Sequence, residues 1–285
     1  MLMNKKLFKV KLKEKGMSNL GLVINDTVRK EMRNRALLII FFLNIIIFAI
    51  VTTGVDFVIS MVGKEGIPLD LNSQKIHVFL FFINKWIGLL SILFGIGCVK
   101  SDEDDGILGQ LVSLPIMRSE YLLGRILGAS IIVFGFYILL LIFAALALTI
   151  GGATWPMNIE FFLSLPVKFF YILSIILLSV LISFFSSKTI SFVMAMVAFI
   201  AIDISGAMNG GKAFSELFNE MSFFKGFNLM IYGLFPHLSE LDRLISDLIF
   251  KTNEVTSPWY ELGHALFSVG LLYAFLLLIF RKKEL

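Results

Sequence analysis

Residues 36–55 run without one charged side chain, and five further apolar runs follow at about 76–99, 121–150, 161–185, 190–204 and 262–280. A stretch of this length can lie in hydrocarbon only if its own backbone satisfies every N–H and C=O, which makes each run a helix. The expected fold is therefore all-α: a polytopic membrane protein with six transmembrane helices. The fifth run is short for a span and carries Asp203 near its end. It is expected to tilt little or to be finished by non-helical chain.

Composition excludes a soluble globular domain. Apolar residues make up 58% of the chain, where globular proteins sit near ~45–50%. Mean hydropathy is +0.89. Charged residues contribute 16% and fall in clusters between the runs. The pI of about 9.1 does not imply nucleic acid, because the basic residues sit at the edges of apolar runs, where orientation and anionic lipid account for them. The single cysteine, Cys98, lies inside a run. It rules out an intrachain disulfide or multi-cysteine metal site and reads as a buried, inert thiol.

Residues 1–35 do not read as a secretory signal, since the run that follows is too long and lies too far in. Leu20, Ile24, Val28 and Met32 recur every fourth position, opposite Asn25, Asp26, Arg29, Lys30 and Arg33. That pattern fits a basic tail leading into an amphipathic helix in the headgroup layer; a solvated helix or a disordered basic tail is the alternative. Lysine and arginine concentrate in 1–35, around 100–125, at Lys188 and at 281–283. By the positive-inside rule those segments are cytoplasmic, with both termini inside and an even number of spans. Trp155, Trp259 and Tyr260 then fall at the outer interface. Spans one to five occupy 36–204, and 262–285 holds the last span and a cytoplasmic tail. Residues 205–261 form an extracytoplasmic insertion with two amphipathic helices, one through Phe214, Leu217, Phe218, Met221 and Phe224, the other through Leu238, Leu241, Leu244, Ile245, Leu248 and Ile249.

The cytoplasmic loop 100–120 is the most informative stretch. Asp102, Glu103, Asp104 and Asp105 precede Gly106; Ile107, Leu108, Leu111, Val112 and Leu114 follow, and then Pro115. Carboxylates complement a helix N-terminus, and Pro115 disfavours helix at the residue before it. A short helix with an apolar side is expected over about 104–115, and a capped loop helix without a partner remains open. In this stretch the chain resembles the ABC-2 type transporter permeases, a family that includes the nitrous-oxide-reductase copper-maturation permeases. Their pattern of acidic residues, Gly-Thr-Leu, a Leu-rich turn, Pro, Arg and then Gly-Lys is matched at Glu103, Asp104, Gly106, Leu108, Leu111, Pro115, Arg118, Gly124 and the basic Arg125. Ile107 replaces the usual threonine, which removes one local cap or contact, and Arg125 replaces lysine.

The resemblance implies that 104–115 is a coupling helix seated on a separate ATP-hydrolysing subunit, with Glu103, Asp104, Gly106, Leu108, Leu111, Val112, Pro115 and Arg118 as the coupling residues. It further implies a second permease copy or sister permease as partner, export across a bacterial cytoplasmic membrane, and a chain that is not itself an enzyme and binds no cofactor. A carrier or channel working without ATP and a structural or assembly protein of the membrane are the rival classes.

Other motifs carry less. Gly206–Ala213 approaches a phosphate-binding loop, but Ala213 lacks the hydroxyl such loops need after lysine and no strand precedes it; a flexible glycine turn explains it better. His77, His237 and His264 lack metal-site spacing, and Met208, Met221 and Met230 read as packing residues rather than soft copper ligands. Lys85 is the charge inside a span. It either pairs with Asp203 as an intramembrane polar site or snorkels outward beside Trp86.

Overall fold

The computed structural model describes residues 18–33, 35–62, 71–104, 106, 117–150, 159–210, 222–250 and 258–282. Among them all regular structure is helical: α1 (Asn19–Met32), α2 (Arg35–Val62), α3 (Leu71–Asp104), α4 (Arg118–Ile150), α5 (Ile159–Ser183), α6 (Lys188–Asn209), α7 (Phe223–Leu234), α8 (Leu238–Phe250) and α9 (Pro258–Lys282). Five of these are long and apolar enough to cross a membrane, namely α3 over Ile76–Asp104, α4 over Arg118–Thr149, and α5, α6 and α9 entire. In α2 the apolar stretch is shorter, Ile39–Gly54. The chain is an all-α polytopic membrane protein.

The central helix is α5, which packs against α3, α4, α6, α8 and α9. It is apolar all round, and a helix of that kind has no polar face to turn outward. Its buried hydroxyls are satisfied locally: Ser164, Ser174, Ser179 and Ser183 donate to the carbonyls of Phe161, Phe170, Ile175 and Val180 at 2.6–2.8 Å. Such back-bonding lets small polar residues sit in a dry interface. By contrast α6 exposes Ile190, Val193, Met194, Val197, Ile200 and Ile204 along one side, a face that suits lipid and not water.

Two expectations change. The fifth apolar run does not stop at residue 204, because its helix continues to Asn209. Ser205, Gly206 and Asn209 are buried there, and a Cβ on Gly206 would lie 2.3 Å from Ser239 Oγ of α8. Asn209 donates to Ser205 O at 3.0 Å and also bonds Asn228 of α7. Tertiary contacts thus extend a helix that sequence hydropathy alone would end, and the predicted glycine turn is helical as far as Asn209. The second change lies beyond it. Most of the helix expected through 214–224 falls outside the described residues, and the helix observed there is α7. It begins at the position where Ser222 Oγ accepts the Lys225 N–H. Gly226 and Gly233 weaken its local signal. The predicted second helix is α8, which buries Leu238, Leu241, Leu244, Ile245 and Ile249.

Candidate functional site

At one end of the bundle α3 finishes, α4 begins, and α1 lies across α4 with Lys30 reaching the end of α3. Asp102, in the last turn of α3, is 3% exposed. Its Oδ1 accepts from Lys30 Nζ of α1 at 2.5 Å, and its Oδ2 accepts from the Tyr121 hydroxyl of α4 at 2.6 Å. Arg125 Nη2 of α4 lies 2.8 Å from the same Oδ2 as an ion pair without hydrogen-bond alignment. The rest of that guanidinium is well held: Nε donates to Cys98 O at 2.8 Å and Nη1 to Thr27 Oγ1 at 3.2 Å. One carboxylate and one guanidinium, both buried, therefore tie three helices together. Asn19 adds a bond from the start of α1 to Glu120 at 3.3 Å.

Gly124 and Gly128 allow this crossing. A Cβ on Gly124 would lie 2.7 Å from Val23 Cβ, and one on Gly128 would lie 2.6 Å from Thr27 Cβ. Four residues apart, the two glycines form a small-residue groove on α4 into which the Val23–Thr27 ridge of α1 fits. The face of α1 that packs is thus centred on Thr27, while Met32, at the end of the predicted apolar stripe, is exposed. Gly128→Val is expected to cost about 1–3 kcal/mol by overpacking and to open Arg29 and Lys30 to trypsin. Protection equal to wild type would show slack in the groove.

Glu103 and Asp104 are not at the start of a helix. They end α3, where Gly106 takes φ +66° and its N–H bonds Glu103 O at 3.0 Å, the left-handed stop that glycine accommodates. Acidic groups at a helix C-terminus oppose its macrodipole. Cations offset that here, with Lys100 3.3 Å from Glu103 and Lys188 of α6 3.0 Å from Asp104. The helix that these carboxylates were expected to cap lies outside the described residues. Across the gap, Arg118 opens α4 and donates to Arg281 O of α9 at 3.1 Å, and Tyr273 of α9 bonds Ser119 O at 3.1 Å. Leu108, Leu111, Val112 and Pro115, with the predicted helix they belong to, lie outside the described residues.

Further along the bundle Lys85 and Asp203 meet at 2.7 Å, joining α3 to α6. Of the two readings of Lys85, pairing is the one observed. Phe81 and Phe199 flank the ammonium at 5.8 and 5.9 Å. A second pair was not anticipated. Lys168, inside the fourth apolar run, is fully buried in α5 and lies 3.1 Å from Asp242 of α8. The Tyr171 ring stands 3.7 Å from its ammonium. The available signal was the one that singled out Lys85, a lysine inside an apolar run.

His237 and His264 also come together. His237 stacks between Tyr232 at 3.7 Å and His264 at 3.8 Å, with Nδ1 2.8 Å from Glu261 and Nε2 2.8 Å from Tyr232 O. The ring is thus fixed by a partner on each nitrogen. Nearby, burial pushes the Glu240 carboxyl above its usual value, against the pull of Arg243 at 2.7 Å. Among the described residues no group of three His, Cys, Asp or Glu is placed to hold a metal. His77 stacks on Phe250 instead, at 3.8 Å.

A family model described as ABC-2 family transporter protein matches residues 22–285. No curated protein matches the chain.

Proposed function

Since the chain belongs to the ABC-2 transporter family, we propose that it is the permease subunit of an ATP-driven exporter and takes its power stroke through the 104–115 segment. Six spans, α2–α6 and α9, would cross a bacterial plasma membrane with both termini cytoplasmic, pairing with a second permease and with ATPase subunits. The segments 1–35, 36–204, 205–261 and 262–285 would then be the tail and interfacial helix, the first five spans with their coupling loop, the outer insertion, and the last span with its tail.

The observation that carries this reading is the anchoring of the segment at both ends. Before it, Asp102 binds α1 and α4; after it, Arg118 binds α9. A push on a segment clamped in this way moves three or four helices as a body, where a push on a free loop would be absorbed. ATP drives such a switch only if the partner interacts differently with the two states of the bundle. A carrier that works without ATP is less well supported, because the described spans run unbroken, α5 continuing straight through Pro166.

Leu111 tests the reading. Truncating an apolar anchor in a desolvated interface costs about 2 kcal/mol or more, and Leu111→Asp adds an unpaired carboxylate. Co-purification of ATP-hydrolysing activity with equal amounts of wild-type and Leu111→Asp chain should fall by more than about tenfold. Equal recovery would remove the coupling assignment.

A further inference from the structure

The short helix α7 is built the wrong way round for water. Phe223, Phe227, Met230 and Leu234 recur every three or four residues and form one stripe, and no residue of the helix is buried. Phe223 and Phe224 are 84% and 82% exposed, Phe227 and Met230 60% and 61%. The polar contact lies on the other side, where Asn228 bonds Asn209 of α6 and accepts from Ser205 Oγ at 2.9 Å through its carbonyl. A helix on a water-soluble surface turns its apolar side in and its polar side out. An apolar stripe of this size facing outward marks a contact with protein or membrane.

The surroundings of α7 select lipid. Its stripe continues a face already suited to hydrocarbon: α6 exposes Ile200, Ile204 and Met208 toward this end, and Asn228 Nδ2 lies 4.0 Å from Met208 Sδ. The 22 residues of α6 rise about 33 Å, close to the thickness of a hydrocarbon core. The joint with α7 therefore falls where α6 leaves the acyl chains. The 12 residues of α7 reach only about 18 Å and cannot cross. Trp259 and Tyr260, at the start of α9, are also exposed at this end. The Tyr260 ring stands 6.5 Å from His237, which stacks on Tyr232 of α7. Rings of both kinds favour the membrane–water boundary. We propose that α7 lies in the membrane along that boundary, its phenylalanine stripe among the acyl chains of one leaflet and Asn228 fastening it to α6.

The proposal rests on the spans and not on the coupling loop, so its failure leaves the ATPase-coupling reading standing. Phe227→Cys, Met230→Cys and Val197→Cys, each in full-length Cys98→Ser protein, are labelled with one fluorophore in phosphatidylcholine nanodiscs, where both faces meet the buffer. The quenchers are aqueous iodide and phosphatidylcholine brominated near the headgroup or near the chain end. At Phe227 and Met230 the shallow bromines should quench about twofold more than the deep ones, as a face sunk ~5–10 Å into the boundary requires. Iodide should quench there severalfold less than it quenches the free dye. At Val197, midway along α6, the deep bromines should prevail. Phe223→Asp/Phe227→Asp gives a readout without a label: hydrogen exchange in 223–234 should rise by more than about tenfold, because two anchors are lost from lipid. Iodide quenching near that of the free dye would place α7 in water. Protection from all three quenchers would mean that protein covers the stripe, and deep bromines prevailing at Phe227 would mean a helix sunk below the boundary. Any of these, or unchanged exchange in the double variant, overturns the proposal.

Discussion

Asp102→Leu is expected to destabilise the chain by about 3–5 kcal/mol, the cost of leaving a buried partner charge uncompensated. Arg125 cannot shed its proton, and its side chain is 3% exposed, so no water replaces the lost carboxylate. The Tyr121 hydroxyl loses its acceptor in the same step. Against a typical total of roughly 5–15 kcal/mol, a loss of that size lowers the folded yield visibly. Lys30 behaves differently. Its side chain is 38% exposed, so Lys30→Ala removes a partner that water can replace and is expected to cost at most about 1 kcal/mol. The double variant Asp102→Leu/Arg125→Leu removes both buried charges and should recover most of the loss. Thermal unfolding of the purified variants in one detergent reads the three values. A single-variant loss below about 1 kcal/mol would mean that the guanidinium is solvated, and with it the rigid clamp behind the coupling reading would go.

Hydropathy finds helices because lipid leaves the backbone no alternative, and all six apolar runs are helices in the structure. It fails where side chains beyond the run are satisfied by another helix. Ser205, Gly206 and Asn209 look like loop residues until α7 and α8 supply their contacts. The acidic run 102–105 concealed a further role for a related reason. Four consecutive acids before a glycine read locally as a cap, yet Asp102 is held by Lys30 and Arg125, distant in sequence and close only once α1 lies on α4. Gly124 entered as one letter of a family pattern, and its physical reason, the approach of Val23, belongs to the crossing of two helices. Lys85 and Asp203 were each legible as rare charges in apolar runs, but their meeting depends on the rotation of α3 against α6. Lys168 was visible in the same way. Its partner Asp242 lies in a separate amphipathic stretch, and nothing local joins the two.

The Lys168–Asp242 pair yields the sharpest asymmetry. Lys168 has no exposure at all, whereas the Asp242 side chain keeps 16%. Asp242→Leu therefore strands an ammonium against the faces of Tyr171 and Tyr137, at 3.7 and 5.6 Å. Ring faces offer a desolvated cation about 2 kcal/mol, less than the several kcal/mol that burying the ion requires. A net loss of about 3–5 kcal/mol is expected. Lys168→Met leaves a carboxylate that water reaches, with a methionine stem filling the lysine's path, and should cost clearly less. Removing both charges in Lys168→Met/Asp242→Leu should return the chain to near wild-type stability, since well-packed apolar replacements for a buried pair are often neutral or better. The loss should also be local. This pair sits within the packing of α8 on α5, so hydrogen exchange in 238–250 should rise in Asp242→Leu while exchange across the Asp102 clamp stays put. Equal losses in the two single variants, adding without recovery in the double, would show that the pair is solvated and does not fasten α8 to the central helix.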